Sequence, residues 1–311
     1  MTSTPEVQER MTLDKAADEN FPVAPFFLPK AWREDLMAVY GFARLVDDIG
    51  DGDLAPGGAD ALALGLDPGQ TGGTSRSSAA ESGGDRLAML DAFETDLRKV
   101  FDGTPGHPLL RRLQPTVRRR ALTPEPFLGL IAANRQDQLV SRYETYDDLV
   151  AYCELSANPV GRLVLAVTGT ESPERVRRSD AVCTALQIVE HLQDVSEDLA
   201  RDRIYLPAED MVRCSVQESD LAQPHAGAAV RSLIAYEAER ARRLLNEGTP
   251  LVGSVHGRLK LLLAGFVAGG RAALRAIAAA QYDVLPGPPK PTKPQLLREV
   301  GAVLRSERRE G

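Results

Sequence analysis

Two stretches of the chain place aspartates four residues apart. Asp47 and Asp51 lie in GFARLVDDIGD (41–51), and Asp194 and Asp198 lie in LQDVSED (192–198). Residues four apart share one face of a helix, so each stretch predicts two carboxylates side by side. Like charges at this spacing destabilise a helix slightly, and a bound cation would remove that repulsion. A solvated acidic face is the alternative for either pair taken alone.

Arginines accompany both pairs of aspartates. Arg44 lies just before the first pair, and Arg201 and Arg203 follow the second pair. Carboxylate oxygens suit Mg²⁺, which commonly bridges a few carboxylates to substrate phosphates, and arginine grips phosphate oxygens in a bidentate manner. These residue types therefore predict a site for Mg²⁺ and a diphosphate. A calcium-binding EF-hand loop is excluded, because Gly58 stands where such a loop needs its final glutamate.

The composition limits the classes of partner. The 311 residues carry a net charge of −7, which argues against nucleic acid as the main partner, since phosphate backbones need a basic face. The three cysteines match no zinc-binding spacing. The N-terminal sequence has no apolar core and is not expected to be a signal peptide. The apolar stretch 259–280 contains Arg271 and Arg275, so it predicts a buried helix rather than a membrane span.

Apolar residues recur with a period near 3.6 over most of the chain, which predicts a nearly all-α protein. The first strong helix is expected to begin after Pro29. Further helices are predicted at 109–120, 124–142, 146–168, 173–201, 227–247 and 254–280.

Composition also suggests the organisation of the chain. Residues 52–84 are rich in Gly, Ala, Ser and Asp and are expected to form a flexible insert. Residues 285–294 are proline-rich and precede an amphipathic helix with a basic end. We expect a flexible N-terminus at 1–16, a single domain at 17–285 that includes the insert, and a connector with a C-terminal helix at 286–311.

Longer motifs resemble those of a known enzyme family. ARLVDDIGD (43–51) and LQDVSEDLARDRIYLP (192–207) resemble the two aspartate-rich motifs of the squalene/phytoene synthase family, as does SRYETYDDLVAYC (141–153) ahead of GRLVL (161–165). The resemblance extends from about residue 17 to about residue 285. It implies an all-α isoprenoid synthase fold, with helices around a central active-site cavity. It also implies that the two acidic motifs face each other across the mouth of the cavity and bind Mg²⁺ with a prenyl diphosphate.

The resemblance assigns roles to individual residues. The implied metal ligands are Asp47, Asp51, Asp194, Asp198 and Glu190, the last standing where many family members have an asparagine. The implied substrate-binding residues are Arg44, Asp48, Asp137, Arg201 and Arg203. A solvated helix acid is the alternative for Asp137. Tyr152 and Tyr205 match tyrosines that line the family's active site and are counted as catalytic. His191 is expected to be a bystander, because its neighbours favour oxygen ligands.

Two further stretches resemble one bacterial subgroup of the family. ENFPVAPFFLP (19–29) and SANPVGRLVL (156–165) are similar to the subgroup that converts presqualene diphosphate to hydroxysqualene. Asn158 and Arg162 are candidates for positioning the attacking water or the diphosphate. Pro159 should kink its helix, and Asn158 is alternatively a partner for the backbone carbonyl that the proline leaves free.

The subgroup resemblance implies a setting in the cell. A sister presqualene diphosphate synthase would supply the substrate, a flavin-dependent reductase would complete squalene, and NADPH would not be required. A cytoplasmic enzyme is expected, with transient contact at the inner face of the membrane through its late apolar helices and basic C-terminal helix. Three alternatives stay open. They are a condensing synthase acting on farnesyl or geranylgeranyl diphosphate, a chain-elongating prenyltransferase, and a non-catalytic relative.

Overall fold

The computed structural model of the chain describes residues 5–17, 23–54, 58–66 and 79–307. Within these ranges the regular structure is helical, and the single β-type pairing is a parallel bridge between Arg142 and Ile204. The predicted all-α class is therefore confirmed.

The helices are numbered here in chain order. The first six are α1 (Pro5–Asp14), α2 (Lys30–Asp51), α3 (Ala59–Ala63), α4 (Ala79–Asp102), α5 (Pro108–Arg120) and α6 (Glu125–Gln136), and a 3₁₀ turn (Lys15–Ala17) follows α1. The next six are α7 (Tyr146–Ser156), α8 (Asn158–Thr168), α9 (Pro173–Gln193), α10 (Val195–Ala200), α11 (Ala208–Arg213) and α12 (Glu218–Leu221). The last four are α13 (Ala228–Gly248), α14 (Pro250–Gly253), α15 (Gly257–Ala279) and α16 (Lys293–Ser306).

The chain divides into two compact units. The first unit comprises Met1–Leu139 with Ala166–Gly169, and the second comprises Val140–Leu165 with Thr170–Gly311. The first aspartate pair therefore belongs to the first unit and the second pair to the second unit. The expected domain boundaries at residues 17 and 285 stay predictions.

In the first unit, α2 packs against α4, α5 and α6. Phe42 of α2 stacks on Phe93 of α4 with ring centroids 5.4 Å apart and meets Phe127 of α6 edge-on at 5.0 Å. All three rings are fully buried, and each contributes roughly 1.5–3 kcal/mol from burial. The helix ends at Gly52, whose φ of 76° suits glycine and lets its N–H bond to the Asp48 and Ile49 carbonyls. The packed core therefore holds α2 in place up to the turn that carries the acidic residues.

In the second unit, α9 is the central helix and packs against α7, α13 and α15. Two glycines allow close approach to it. A Cβ on Gly248 of α13 would lie 2.6 Å from the Arg178 carbonyl oxygen, and a Cβ on Gly161 of α8 would meet the side chains of Ser179 and Cys183. The buried residues of α9 include Val189 and Leu192. This packing fixes the helix that leads into the second aspartate pair.

Three predicted helices differ in the structure. The 146–168 prediction divides into α7 and α8 at Ala157, as expected from Pro159, which has no N–H to continue the helix. The 173–201 prediction divides into α9 and α10 at Asp194. The connector contacts both sides of this break, because Gln193 donates to the Pro289 carbonyl at 2.6 Å and Ser196 to the Leu285 carbonyl at 2.7 Å. The 124–142 prediction ends at Gln136.

Two segments expected to be flexible contain helix. Residues 5–14 form α1, and the insert 52–84 contains α3 and the start of α4. Residues 1–4, 55–57 and 67–78 of these segments lie outside the described residues. Among the described helices, α15 alone is long and apolar enough to cross a membrane, yet most of its apolar stretch is buried inside the protein, as predicted for 259–280.

Candidate active site

The first unit presents the first aspartate pair at the end of α2. Asp47 is exposed and accepts a hydrogen bond from Nδ2 of Asn134 at 3.1 Å. Although solvent reaches the side chain, surrounding protein atoms reduce its hydration, and together with the negative charge of Asp51 this raises the pKa of Asp47 to about 7. The pair is therefore electrostatically strained in the absence of a cation.

Asp48, between the two, faces inward and is buried. Its Oδ2 lies 2.7 Å from Nζ of Lys15, and its Oδ1 accepts from Nε of Arg44 at 2.9 Å. Arg44 also approaches Oδ1 of Asp48 through a terminal nitrogen at 2.7 Å. Asp48 thus anchors two cationic side chains beside Asp47 and Asp51. The expected contact of Asp48 with substrate stays a prediction, whereas its role in holding Arg44 is visible in the structure.

Asn134 of α6 is a site residue that the sequence reasoning missed. Its Nδ2 also donates to the Leu130 carbonyl at 3.2 Å, and its Cγ would lie 2.9 Å from a Cβ on Gly50. Gln138 donates to the carbonyls of Gly50 and Asn134 at 2.9 and 3.0 Å. The available signal was a polar residue directly after the apolar run FLGLIAA (127–133). These contacts fix the direction of the Asp47 carboxylate.

The second unit presents the second aspartate pair at the junction of α9 and α10. Although the helix is interrupted at Asp194, the Asp198 N–H still donates to the Asp194 carbonyl at 2.8 Å. The two side chains therefore stay one turn apart. Burial, followed by the charges of Asp198 and Glu197, raises the pKa of Asp194. Glu190 is exposed one turn earlier, where a carboxylate can join the pair.

The two arginines of this motif have different surroundings. Arg201 is exposed and lies 3.4 Å from Glu197. The Arg203 N–H donates to the Asp198 carbonyl at 2.8 Å. The Arg203 side chain lines a small recess together with His191, Asp198 and Tyr205. Of the two arginines, Arg203 is the one whose side chain shares a recess with an aspartate of the pair.

The predicted tyrosines come together as part of an aromatic stack. Tyr152 and Tyr205 have ring centroids 5.5 Å apart, and Tyr143 lies 5.4 Å from Tyr152 and 5.7 Å from Tyr205. All three are buried. The stack forms because two distant segments pair, with the Ile204 N–H donating to the Ser141 carbonyl at 2.9 Å. Tyr143 lies in the motif SRYETYDDLVAYC (141–153), and the sequence predicted no role for it.

Asn158 and Arg162 occupy the start of α8 and both contact α9. Asn158 is buried, and its Oδ1 accepts from the Thr184 hydroxyl at 3.0 Å. Arg162 makes a bidentate ion pair with Asp180, at 3.0 and 2.7 Å. This pair joins α8 to α9 and occupies the guanidinium that was expected to position water or diphosphate. A role of Asn158 or Arg162 in catalysis stays a prediction.

Asp137 caps the end of α6, where its N–H donates to the Ala133 carbonyl at 3.0 Å. Its side chain is half-buried. Its expected place at the substrate stays a prediction.

Each aspartate pair fits a Mg²⁺ ion that is held partly by the protein, but neither pair forms a complete set of metal ligands. In the part of the chain that the structure describes, no three His, Cys, Asp or Glu side chains gather into a metal-binding group. Mg²⁺ is usually held by one or two carboxylates, several waters and substrate phosphates. Asp47 with Asp51, and Asp194 with Asp198, offer oxygen-only pairs of this kind.

Comparison with known proteins finds relatives of this chain in both sequence and fold. A family model described as squalene/phytoene synthase matches residues 14–296. The chain is 34% identical over 244 residues to hydroxysqualene synthase of Zymomonas mobilis, which covers 78% of this chain and 72% of that protein. It is 27% identical over 279 residues to phytoene synthase of Arthrospira platensis, covering 86% and 82%. The crystal structure of squalene synthase HpnC from Alicyclobacillus acidocaldarius matches with a TM-score of 0.73 and 38% identity, covering 89% of this chain and 95% of that one. The expected isoprenoid synthase fold is therefore confirmed.

Proposed function

Because the chain belongs to the squalene/phytoene synthase family and is an enzyme that uses prenyl diphosphates, we propose that it converts presqualene diphosphate to hydroxysqualene and diphosphate. The observation that carries this choice within the family is the similarity to hydroxysqualene synthase, at 34% identity over 78% of the chain. The reaction would belong to squalene and hopanoid biosynthesis.

The acidic residues would hold the metal in this proposal. Asp47 and Asp51 of the first unit and Asp194 and Asp198 of the second would provide the carboxylates, and Glu190 would add a further oxygen. Bound Mg²⁺ would stabilise the negative charge that develops on the departing diphosphate. Arg44 and the two arginines of the second motif, Arg201 and Arg203, would bind the phosphate oxygens. Asp48 would keep Arg44 directed towards them.

The reaction at carbon would depend on the side chains that line the site. The bond between carbon and the diphosphate oxygen breaks, and its electron pair leaves with the diphosphate. The remaining cyclopropylcarbinyl cation rearranges, then bonds to the oxygen of one water molecule, which releases a proton. Tyr152 and Tyr205 would belong to the aromatic wall of the site. Asn158 would position the water. Arg162, held by Asp180, has no part in this proposal.

The proposed reaction also predicts which enzymes supply its substrate and use its product. It consumes no hydride, so the enzyme would require no NADPH. A presqualene diphosphate synthase would deliver the substrate, and a flavin-dependent reductase would replace the new hydroxyl by hydrogen. Substrate and product are apolar, so a cytoplasmic enzyme with transient contact at the inner face of the membrane fits the chemistry.

A condensing synthase is the second candidate. Identity of 27% to a phytoene synthase over 86% of the chain favours it as the alternative, because condensation and water capture use the same type of diphosphate site. The difference lies in the first substrate, which would be farnesyl or geranylgeranyl diphosphate.

Product analysis by mass spectrometry separates the two candidates. The purified chain is incubated with Mg²⁺ and without NADPH, in parallel with presqualene, farnesyl and geranylgeranyl diphosphate. We expect hydroxysqualene from the first substrate and no product from the other two. Presqualene diphosphate or a hydrocarbon formed from farnesyl or geranylgeranyl diphosphate would instead identify a condensing enzyme. The variant Asp47→Asn combined with Asp194→Asn is the inactive control for any product seen.

A further inference from the structure

His191 occupies the last turn of α9 and forms one end of the aromatic stack. Its imidazole lies nearly parallel to the Tyr205 ring, with an interplanar angle of 11° and centroids 3.8 Å apart. The ring is 8% exposed. Because Tyr205 is itself packed against Tyr143 and Tyr152, this stacking fixes the plane of the imidazole.

The edges of the imidazole face two polar side chains. On one edge, the amide nitrogen Nε2 of Gln187 lies 3.2 Å from Nε2 of His191. An amide nitrogen can only donate, so Nε2 of the imidazole accepts and the ring proton of the neutral form resides on Nδ1. Nδ1 lies 3.8 Å from Oδ2 of Asp198. The orienting hydrogen bond from Gln187 thus turns an N–H towards a carboxylate of the second pair.

Asp198 needs such an outside contact. It lies in α10, which has six residues and is separated from α9 by the interruption at Asp194. A helix this short is marginally stable by itself, so its geometry depends on contacts with the rest of the unit. Side chains that bind metals commonly depend on outer partners for their orientation, and loss of such a partner typically lowers metal affinity about 10- to 100-fold.

We propose that His191 is a positioning residue whose imidazole, stacked on Tyr205 and oriented by Gln187, directs the Asp198 carboxylate towards a divalent cation bound with diphosphate. This inference rests on the proposed function. It gives a role in the site to a histidine that sequence reasoning treated as a bystander.

Two substitutions separate the stacking from the Nδ1 group that faces Asp198. His191→Phe retains a flat ring against Tyr205 and removes Nδ1. His191→Asn removes the ring, but its amide nitrogen is as many bonds from the backbone as Nδ1 and can replace that donor. His225→Phe is the matched control, because His225 is an exposed histidine whose Nδ1 also faces an aspartate, Asp283, at 3.0 Å.

The readout is calorimetric binding of Mg²⁺ with inorganic pyrophosphate, which needs no turnover, together with the melting temperature of the ligand-free protein. We expect His191→Phe to weaken binding about 10-fold with little change in melting temperature. His191→Asn should lower the melting temperature but lose much less than 10-fold in binding, because it retains the donor. The control should bind like wild type.

Equal binding by wild type and His191→Phe would overturn the proposal and leave His191 a packing residue. Equal losses in His191→Phe and His191→Asn would also overturn it, because the donor would then not be the cause. If His191→Phe does not fold, Gln187→Met decides instead, since it removes the orienting donor and leaves both rings. Its binding should weaken, and unchanged binding would refute the proposal. Absence of binding by the wild-type protein would count against the proposed function itself.

Discussion

Gly50, in the last turn of α2, gives a sharp test of how the first aspartate pair is held. A Cβ at this position would overlap Oδ1 of Asn134 and lie 2.9 Å from its Cγ. The substitution Gly50→Ala therefore has to displace Asn134, which donates to Asp47 and to the Leu130 carbonyl. Gly265 of α15 is the matched control, because a Cβ there would meet no atom within 4 Å.

Two opposing effects set the magnitude. Replacing a helical glycine by alanine stabilises a helix by about 0.5–1 kcal/mol. Against this, the buried Asn134 loses one hydrogen bond to a carbonyl, worth about 1 kcal/mol, and one to a carboxylate, worth about 1.5–3 kcal/mol. The loss exceeds the gain, so we expect Gly50→Ala to lower the free energy of unfolding by about 2 kcal/mol. Gly265→Ala should raise it by about 0.5–1 kcal/mol.

Urea unfolding of the single variants and of Gly50→Ala combined with Asn134→Ala provides the assay. Once Asn134 is truncated the overlap disappears, so adding Gly50→Ala to that background should be neutral or stabilising. A Gly50→Ala protein as stable as wild type would refute the reasoning, because Asn134 would then yield without loss. Equal destabilisation in both backgrounds would show that the cause lies elsewhere in α2.

Three further predictions concern pH and an ion pair. Because reduced hydration and the charge of Asp51 raise the pKa of Asp47 to about 7, Mg²⁺–pyrophosphate binding measured by calorimetry should strengthen from pH 6 to pH 8, and less steeply in Asp47→Asn. Burial raises the pKa of Glu237 above its ordinary value of 4.5, so the folded state favours the protonated form. The stability that the protonated Glu237 contributes is complete below pH 4.5 and is lost as pH rises through the folded-state pKa. Glu237→Gln should therefore flatten the fall in melting temperature over this pH range. An unchanged pH profile would contradict the raised pKa of Glu237. Arg162→Ala and Asp180→Ala should each lower the free energy of unfolding by about 1 kcal/mol or less and be non-additive, since the pair is partly exposed. A large loss of turnover in Arg162→Ala, without a matching loss in Asp180→Ala, would restore a direct catalytic role for Arg162.

Local periodicity was sufficient for the parts of the site that lie on one helix. The apolar spacing of α2 and the four-residue spacing of Asp47 and Asp51 depend only on the 3.6-residue turn, so they could be predicted without tertiary information. The break before Pro159 follows equally from one residue's missing N–H. The motifs identified the family for the same reason, because each is a continuous stretch of sequence.

The remaining features depend on residues far apart in the chain. Asn134 reaches Asp47 across 87 positions, and Arg162 is occupied by Asp180 across 18. The interruption between α9 and α10 at Asp194 could not be predicted from the sequence, because no proline or glycine lies there. The sequence by itself therefore determined which residues carry charge and which helix face they share. Tertiary packing alone decided which polar partner each of them meets, because such contacts depend on how whole helices pack and not on local spacing.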